Sequence, residues 1–147
     1  MYDMDPETPI KVLFGGALDL LHMGHILAME DAKLFGDQLI VNIDSDARVK
    51  AKKGSNRPII PEKDRVAMVA SLEIVDRVVC LFGDPDYPVP KLLKMLKPDV
   101  LIVSGDSDFV KEQKLCDEMG VKMVKRSRIT ASSGLDTTAI IAKIRNE

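Results

Sequence analysis

At 147 residues, 46% of them hydrophobic, the chain holds enough apolar material for one domain with a core of its own, without help from a metal or a disulfide. A formal net charge of −2, from 21 Lys and Arg against 23 Asp and Glu, excludes the large positive excess of a general nucleic-acid or anionic-membrane binder. No apolar stretch approaches the ~20 residues needed to cross a bilayer, and Met1-Tyr2-Asp3-Met4-Asp5-Pro6-Glu7 has neither the basic start nor the apolar run of a signal peptide, so a cytoplasmic location with no membrane partner is expected.

Residues 1–9 read as a flexible acidic tail ahead of a single domain over 10–147. Ile10–Phe14 is a first strand-length apolar run, followed by a glycine turn and a helix over about Met23–Phe35, with Gly36 where a left-handed cap is expected. Gln38–Ile43 is the second strand. After it Arg48, Lys50, Lys52, Lys53 and Arg57 form a glycine-containing basic segment with no acidic residue between Arg48 and Arg57, suited to a small polyanion. Pro61 and Glu62 open a helix that runs to Leu72, with a fixed φ and an anion at the positive dipole end. A strand over Arg77–Leu81, a helix over Val89–Leu96, a strand over Val100–Val103 and a helix over Asp108–Met119 follow, the last closed by Gly120. The final elements are a strand over Val121–Val124 and a helix over Asp136–Arg145. Cys80 and Cys116, far apart and without CxxC spacing, read as buried free thiols.

Strands alternating with helices mark βαβ units, so the expected fold is α/β: a Rossmann-like, doubly wound, parallel five-stranded sheet with helices on both faces. The near-continuous Val, Ile and Leu of the strands suits burial on both sides. Ligands of such sheets bind at the carboxyl ends of the strands. Four polar clusters open on that edge: His22 and His25 after strand one, the basic segment after strand two, Ser104-Gly105-Asp106 after strand four, and Arg126–Thr138 after strand five.

Both histidines of the chain fall in His22-Met23-Gly24-His25, behind Gly15-Gly16 and Asp19. A strand end, a glycine turn and a helix start receive phosphate on backbone N–H groups. Three residues apart, the two imidazoles share one helix face, and Gly24 between them leaves room for a ligand to approach the backbone. Two imidazoles at a helix N-terminus can hold charge developing on phosphorus. Asp19 is read as fixing an imidazole tautomer or a nearby turn, or as touching a metal. Asp19, His22 and His25 alone lack a fourth ligand for zinc, so no residue is assigned to metal.

Gly16, Asp19, His22, Gly24 and His25 stand in the register of the Gly-x-Phe-Asp-x-x-His-x-Gly-His signature, with Leu18 in place of Phe, and the stretch resembles the cytidylyltransferase-like nucleotidyltransferases. Ser45-Asp46-Ala47-Arg48-Val49-Lys50, Lys53-Gly54 with Arg57-Pro58-Ile59, Glu62-Lys63-Asp64-Arg65 and Leu96-Lys97-Pro98-Asp99 are similar to the heptose 1-phosphate adenylyltransferase domain. The resemblance implies transfer of a nucleoside monophosphate, AMP from ATP in the first place, to a phosphorylated acceptor such as a sugar phosphate, with release of pyrophosphate. Mg2+ is implied as the cofactor, with ATP or CTP as substrate. It further implies His22, His25, Lys50 and Lys53 as catalytic residues. Gly15, Gly16, Ala17, Leu18, Asp19, Gly24, Arg65, Ser104, Gly105, Asp106, Ser133, Thr137 and Thr138 are implied around the nucleotide. Relatives are commonly homodimers, and that is carried as analogy.

At the start of the last helix relatives carry Ser-Ser-Thr or Ser-Thr-Thr for the β- and γ-phosphates. Here Asp136-Thr137-Thr138 keeps both threonines and replaces the first serine by an N-capping acid. After strand four the heptose enzyme has a lysine that Ser104-Gly105-Asp106 lacks. Glycerol-3-phosphate cytidylyltransferase and FAD synthase activities therefore stand as alternatives, and a nucleotide-binding regulatory module as the non-enzymatic one.

Overall fold

A computed structural model describes residues 8–146, so the expected acidic tail lies outside the described residues except for Thr8 and Pro9. The chain runs β1 (Lys11–Gly16), α1 (Met23–Lys33), β2 (Gln38–Ile43), α2 (Asp46–Lys53), α3 (Glu62–Ala70), β3 (Arg77–Val79), α4 (Val89–Leu96), β4 (Val100–Ser104), α5 (Val110–Met119), β5 (Lys122–Arg126) and α6 (Thr137–Arg145). All five strands are parallel, in the order β3-β2-β1-β4-β5. The order reverses beside β1, so the switch point, where a crevice opens at the strand ends, lies between β1 and β4.

The period-two alternation of β1 sends Val12 and Phe14 to one face and Leu13 to the other. Val12 and Phe14 join Met29, Leu39, Val41, Val69 and Ile102 in a core under α1 and α3. Leu13 joins Ile40, Leu92, Leu93, Leu101, Val103 and Cys116 in a second core under α4 and α5. Each fully buried aliphatic side chain contributes roughly 1.5–3 kcal/mol, and helices on both faces follow from strands that are apolar on both sides. Cys80 is half-buried and Cys116 buried, and both are free.

The basic segment after β2 begins inside the helix α2, which carries Arg48, Lys50, Lys52 and Lys53, and Arg57 follows that helix. Ser45 caps it, its hydroxyl accepting the Arg48 N–H at 3.0 Å. Asp46 stands in its first turn, with Lys50, Lys52 and Lys53 in its last, and both signs complement the dipole. Gly36 is not a left-handed cap. α1 ends at Leu34 in ordinary helical conformation, and a Cβ on Gly36 would lie 2.7 Å from the Ile10 carbonyl oxygen and 2.7 Å from Val12 Cγ2, so glycine is needed there for close approach. Gly120, at φ +70°, is the left-handed cap of α5. No helix among the described residues is long and apolar enough to cross a membrane.

Candidate active site

Two clefts open at the carboxyl edge of the sheet and meet over a floor of Gly15, Gly16, Asp44, Lys52, Ile102 and Ser104. The first, about 420 Å3, lies between α1 and the segment that leads from β5 into α6. The second, about 680 Å3, lies toward α4 and α5. Their sizes suit small-molecule ligands, for which roughly 300–1,000 Å3 is usual.

The histidines form the N-terminus of α1 itself. His22 is the N-cap, its Nδ1 accepting the Gly24 N–H at 3.1 Å, and His25 Nδ1 accepts the His22 N–H at 3.3 Å. Two imidazoles thus make the reciprocal cap that Ser and Glu usually make. Their rings stack with centroids 3.8 Å apart. Burial, then the neighbouring His22, Lys53 and Arg128 charges set against Asp19, push His25 down to about 4. Burial also lowers His22, against the pull of Asp136. Both rings are therefore neutral at pH 7. A neutral ring whose Nδ1 accepts a backbone N–H carries its proton on Nε2, so each ring keeps an Nε2–H donor outside the cap, and both residues border the first cleft beside the positive end of a helix. Gly24 is required by this arrangement. A Cβ there would lie 2.9 Å from His22 Cε1 and 3.0 Å from its Nδ1.

Cations ring the same cleft: Lys52, Lys53 and Arg57 on one side, Arg126 and Arg128 on the other. Burial, then Arg57 and Lys52, lower the Lys53 ammonium below its usual range. Arg126 is held by Asp31 through bonds of 2.7 and 2.8 Å. At the start of α6, Asp136 Oδ1 accepts the Ala139 N–H at 2.8 Å. That bond first, and then burial and Arg128 in opposite senses, set its carboxyl below the usual range. Thr137 Oγ1 donates to the Asp19 carbonyl at 2.8 Å, tying the last helix to the glycine turn, and Thr137 and Thr138 both border the cleft.

Of the expected site residues, His22, His25, Lys53, Gly15, Gly16, Ala17, Leu18, Asp19, Gly24, Ser104, Gly105, Thr137 and Thr138 all border the first cleft. Lys50, Arg65, Asp106 and Ser133 border neither. Lys50 is exposed because α2 turns Val49 into the core and carries Lys52 and Lys53 to the cleft on the face next to it. Lys52 and Arg57, like Arg126 and Arg128, are cleft cations absent from the expected site residues. The signal of Lys52 and Arg57 was membership of the basic run; the helix period of α2 separates Lys52 from Lys50, and Arg57 reaches the cleft from the loop after α2. Asp106 and Ser133 are exposed on the loops after β4 and before α6.

Arg65 corrects the expectation of a phosphate contact. It is 1% exposed, and its guanidinium donates to the carbonyls of Ile60 at 2.8 Å, Ala17 at 2.5 Å and Asp44 at 2.8 Å, and to Asp46 Oδ1 at 2.8 Å. It ties the loops after β1 and β2 to α3 rather than facing ligand. Asp19 also has a structural answer. Its carboxylate is buried, accepting the N–H groups of Ile59 at 2.7 Å and Ile60 at 2.9 Å, with Arg57 Nε 3.4 Å away. It bonds neither imidazole. Leu18 and Leu20 on either side of it are left-handed at φ +48°, a conformation that costs a non-glycine residue about 1 kcal/mol or more. The bonds of Asp19 hold the chain in that turn.

A parallel sheet with its switch-point crevice, a helix N-terminus built from two neutral imidazoles, and a ring of cations around it define a nucleotide-handling α/β protein whose chemistry is transfer at phosphorus. Residues 13–144 match the family model described as Cytidylyltransferase-like. The chain belongs to that family and is a nucleotidyltransferase. It is similar to the "Bifunctional protein HldE" of Campylobacter fetus subsp. fetus (strain 82-40), 41% identical over 97% of this chain and 29% of that protein. The protein of the same name from a Nitratiruptor species is 40% identical over 92% of this chain and 28% of its own length. The chain thus spans less than a third of these relatives. Among solved structures, the lipopolysaccharide core biosynthesis protein from Thermoplasma volcanium GSS1 matches with a TM-score of 0.64 at 27% identity, over 84% of this chain and 98% of that one. Pantoate-beta-alanine ligase from Francisella tularensis, 18% identical with a TM-score of 0.62, covers 96% of this chain and 67% of its own and shares the fold.

Proposed function

We propose that this chain transfers AMP from ATP to the phosphate of a sugar phosphate and releases pyrophosphate. One observation carries the reading: two neutral histidines, with Nδ1 bound to backbone and Nε2–H left free, stand at a helix N-terminus on a cleft lined by Lys52, Lys53, Arg57 and Arg128. Charge accumulates on the oxygens of the α-phosphorus as an acceptor phosphate oxygen attacks it and the bond to the bridging oxygen of pyrophosphate breaks. Fixed donors and cations stabilise that charge more than they stabilise the bound ground state. In this reading the triphosphate lies from the imidazoles toward the α6 N-terminus, where Thr137, Thr138 and Arg128 receive the leaving pyrophosphate. The sugar-phosphate class is supported by the similarity to HldE proteins and to the heptose 1-phosphate adenylyltransferase domain.

Among the described residues no three His, Cys, Asp or Glu side chains gather as a metal cage. Mg2+ characteristically takes one or two carboxylates plus substrate phosphates rather than a cage, and the Asp44 carboxylate on the shared floor meets only Asn42 Nδ2, at 3.4 Å, so it would hold the ion together with ATP. When bound there, Mg2+ neutralises phosphate charge. The test is to incubate the chain with each of the four ribonucleoside triphosphates and Mg2+ against heptose 1-phosphate, mannose 1-phosphate, glycerol 3-phosphate and FMN, and to measure pyrophosphate. Release with ATP and a sugar 1-phosphate is expected. Release only with glycerol 3-phosphate or FMN would replace the acceptor, and none in any mixture, with nucleotide still bound, would overturn the enzymatic reading.

A further inference from the structure

Arg65 is a buried cation whose donors reach three loops from different parts of the chain. Its guanidinium holds five N–H donors in a rigid plane. Nε serves the Ile60 carbonyl, and Nη2 serves Asp46 Oδ1. The two N–H groups of Nη1 go to two different carbonyls, Ala17 at 2.5 Å and Asp44 at 2.8 Å. Ala17 belongs to the glycine turn after β1 and Asp44 to the segment between β2 and α2. The Asp44 N–H donates in turn to the Gly16 carbonyl at 2.9 Å. Asp44 is therefore tied to the glycine turn twice, once directly and once through Arg65. The Ile60 residue closes the network: with Ile59 its N–H holds the Asp19 carboxylate, and its carbonyl holds Arg65. Asp46 and Glu62 exchange bonds of 2.6 and 2.9 Å, which join the first turns of α2 and α3 around the guanidinium.

The Asp44 carboxylate lies on the floor that both clefts share and joins no ion pair among the described residues. Its direction follows from its backbone, and that backbone is fixed by Gly16 and Arg65. We infer that Arg65 is a positioning residue for the divalent cation: by bridging the Ala17 and Asp44 carbonyls it sets the Asp44 carboxylate at one separation from the glycine turn, where the carboxylate and the bound phosphates share Mg2+. The inference rests on the nucleotidyl-transfer reading and on Asp44 as the cation's carboxylate, and it adds a residue that governs the ion without touching it. Lysine cannot take this role, because three donors on one nitrogen do not meet four acceptors spread around a plane.

The test is calorimetric titration of ATP into the folded protein with and without Mg2+, for the parent, Arg65→Lys, Asp44→Asn and the double variant, beside pyrophosphate release with heptose 1-phosphate. Residues that orient a metal-holding group govern about 10- to 100-fold of metal affinity. In Arg65→Lys the affinity for ATP alone should stay within about twofold of the parent, while the gain in affinity on adding Mg2+ falls ~10-fold or more. Asp44→Asn should lose the same gain, and the double variant no more than Asp44→Asn alone, because Arg65 acts through Asp44. A parental Mg2+ gain in Arg65→Lys, with only a lower melting temperature, would make its role structural and overturn the inference. An equal loss of ATP affinity without Mg2+ would also overturn it, as would a parental gain in Asp44→Asn. If Arg65→Lys does not fold, Asp46→Ala removes the one carboxylate partner of the guanidinium at a side chain 32% exposed, and the same outcomes decide. Absence of pyrophosphate in the parent would overturn the transfer reading, while the calorimetric gains still decide for or against Arg65.

Discussion

Replacing Gly24 by alanine should separate stability from catalysis, because its two effects on the fold oppose each other while its effect on the histidines does not. Gly24 lies in the first turn of α1, where alanine is favoured over glycine by up to about 1 kcal/mol. The added Cβ would stand 2.9 Å from His22 Cε1, 3.0 Å from its Nδ1 and 3.4 Å from the Ile129 carbonyl oxygen. The imidazole is the part that gives way, since the carbonyl is backbone. Its displacement breaks the cap bond to the Gly24 N–H, about 1 kcal/mol, so folding stability stays within roughly 1 kcal/mol of the parent. The ring then leaves its stack on His25, and its Nε2–H donor moves with it. Misplacing a catalytic group by ~1 Å lowers rate by ~100-fold, and the loss should fall on kcat rather than on the KM for ATP. The assay is pyrophosphate release beside a thermal melt of the same preparation. A folded Gly24→Ala protein with kcat within about twofold of the parent would sink the argument that the position of the His22 ring matters.

Acidification should weaken the fold through His25. Its folded-state value of about 4, against an ordinary 6.5, means that between those pH values the unfolded chain binds a proton the folded chain refuses. The contribution is complete above pH 6.5 and lost as pH falls through 4, about 1–2 kcal/mol after allowance for partial exposure. His25→Gln should therefore lose less stability than the parent between pH 7 and pH 4.5 in denaturant melts, and parallel losses would contradict the buried neutral ring. Arg65→Ala removes a buried guanidinium that donates to three part-buried carbonyls and Asp46, and should lower stability by about 3–5 kcal/mol. A stable variant with only a raised KM for ATP would restore Arg65 to phosphate binding. Asp136→Ser keeps an N-cap on α6 and removes a carboxylate from the phosphate cleft, so its melting temperature should hold while the KM for ATP falls several-fold; an unchanged KM would place the triphosphate elsewhere.

The sequence by itself determined the βαβ alternation, the strand-end glycine turn, the pairing of His22 with His25 and the family, because each is written in local periodicity or in a short motif. Val12, Leu13 and Phe14 declare two buried faces without reference to any partner, and Ser45-Asp46 ahead of Arg48 carried the capping signal of α2 that the basic run obscured. Tertiary structure alone decided what depends on residues far apart in the chain. Arg65 and Lys50 looked alike as cations near phosphate motifs. One is locked onto the carbonyls of Ala17 and Asp44, 48 and 21 residues away, and the other faces solvent. Gly36 looked like a cap until Ile10 and Val12 came within reach of its missing side chain. The histidine tautomers rest on which ring nitrogen the α1 backbone claims, and the second cleft rests on β2, α2 and α5 meeting at one edge of the sheet. A sequence records residue types and their spacing along the chain, whereas hydrogen-bond partners, burial and the charge state of a buried ring arise only when distant segments exclude water from one another.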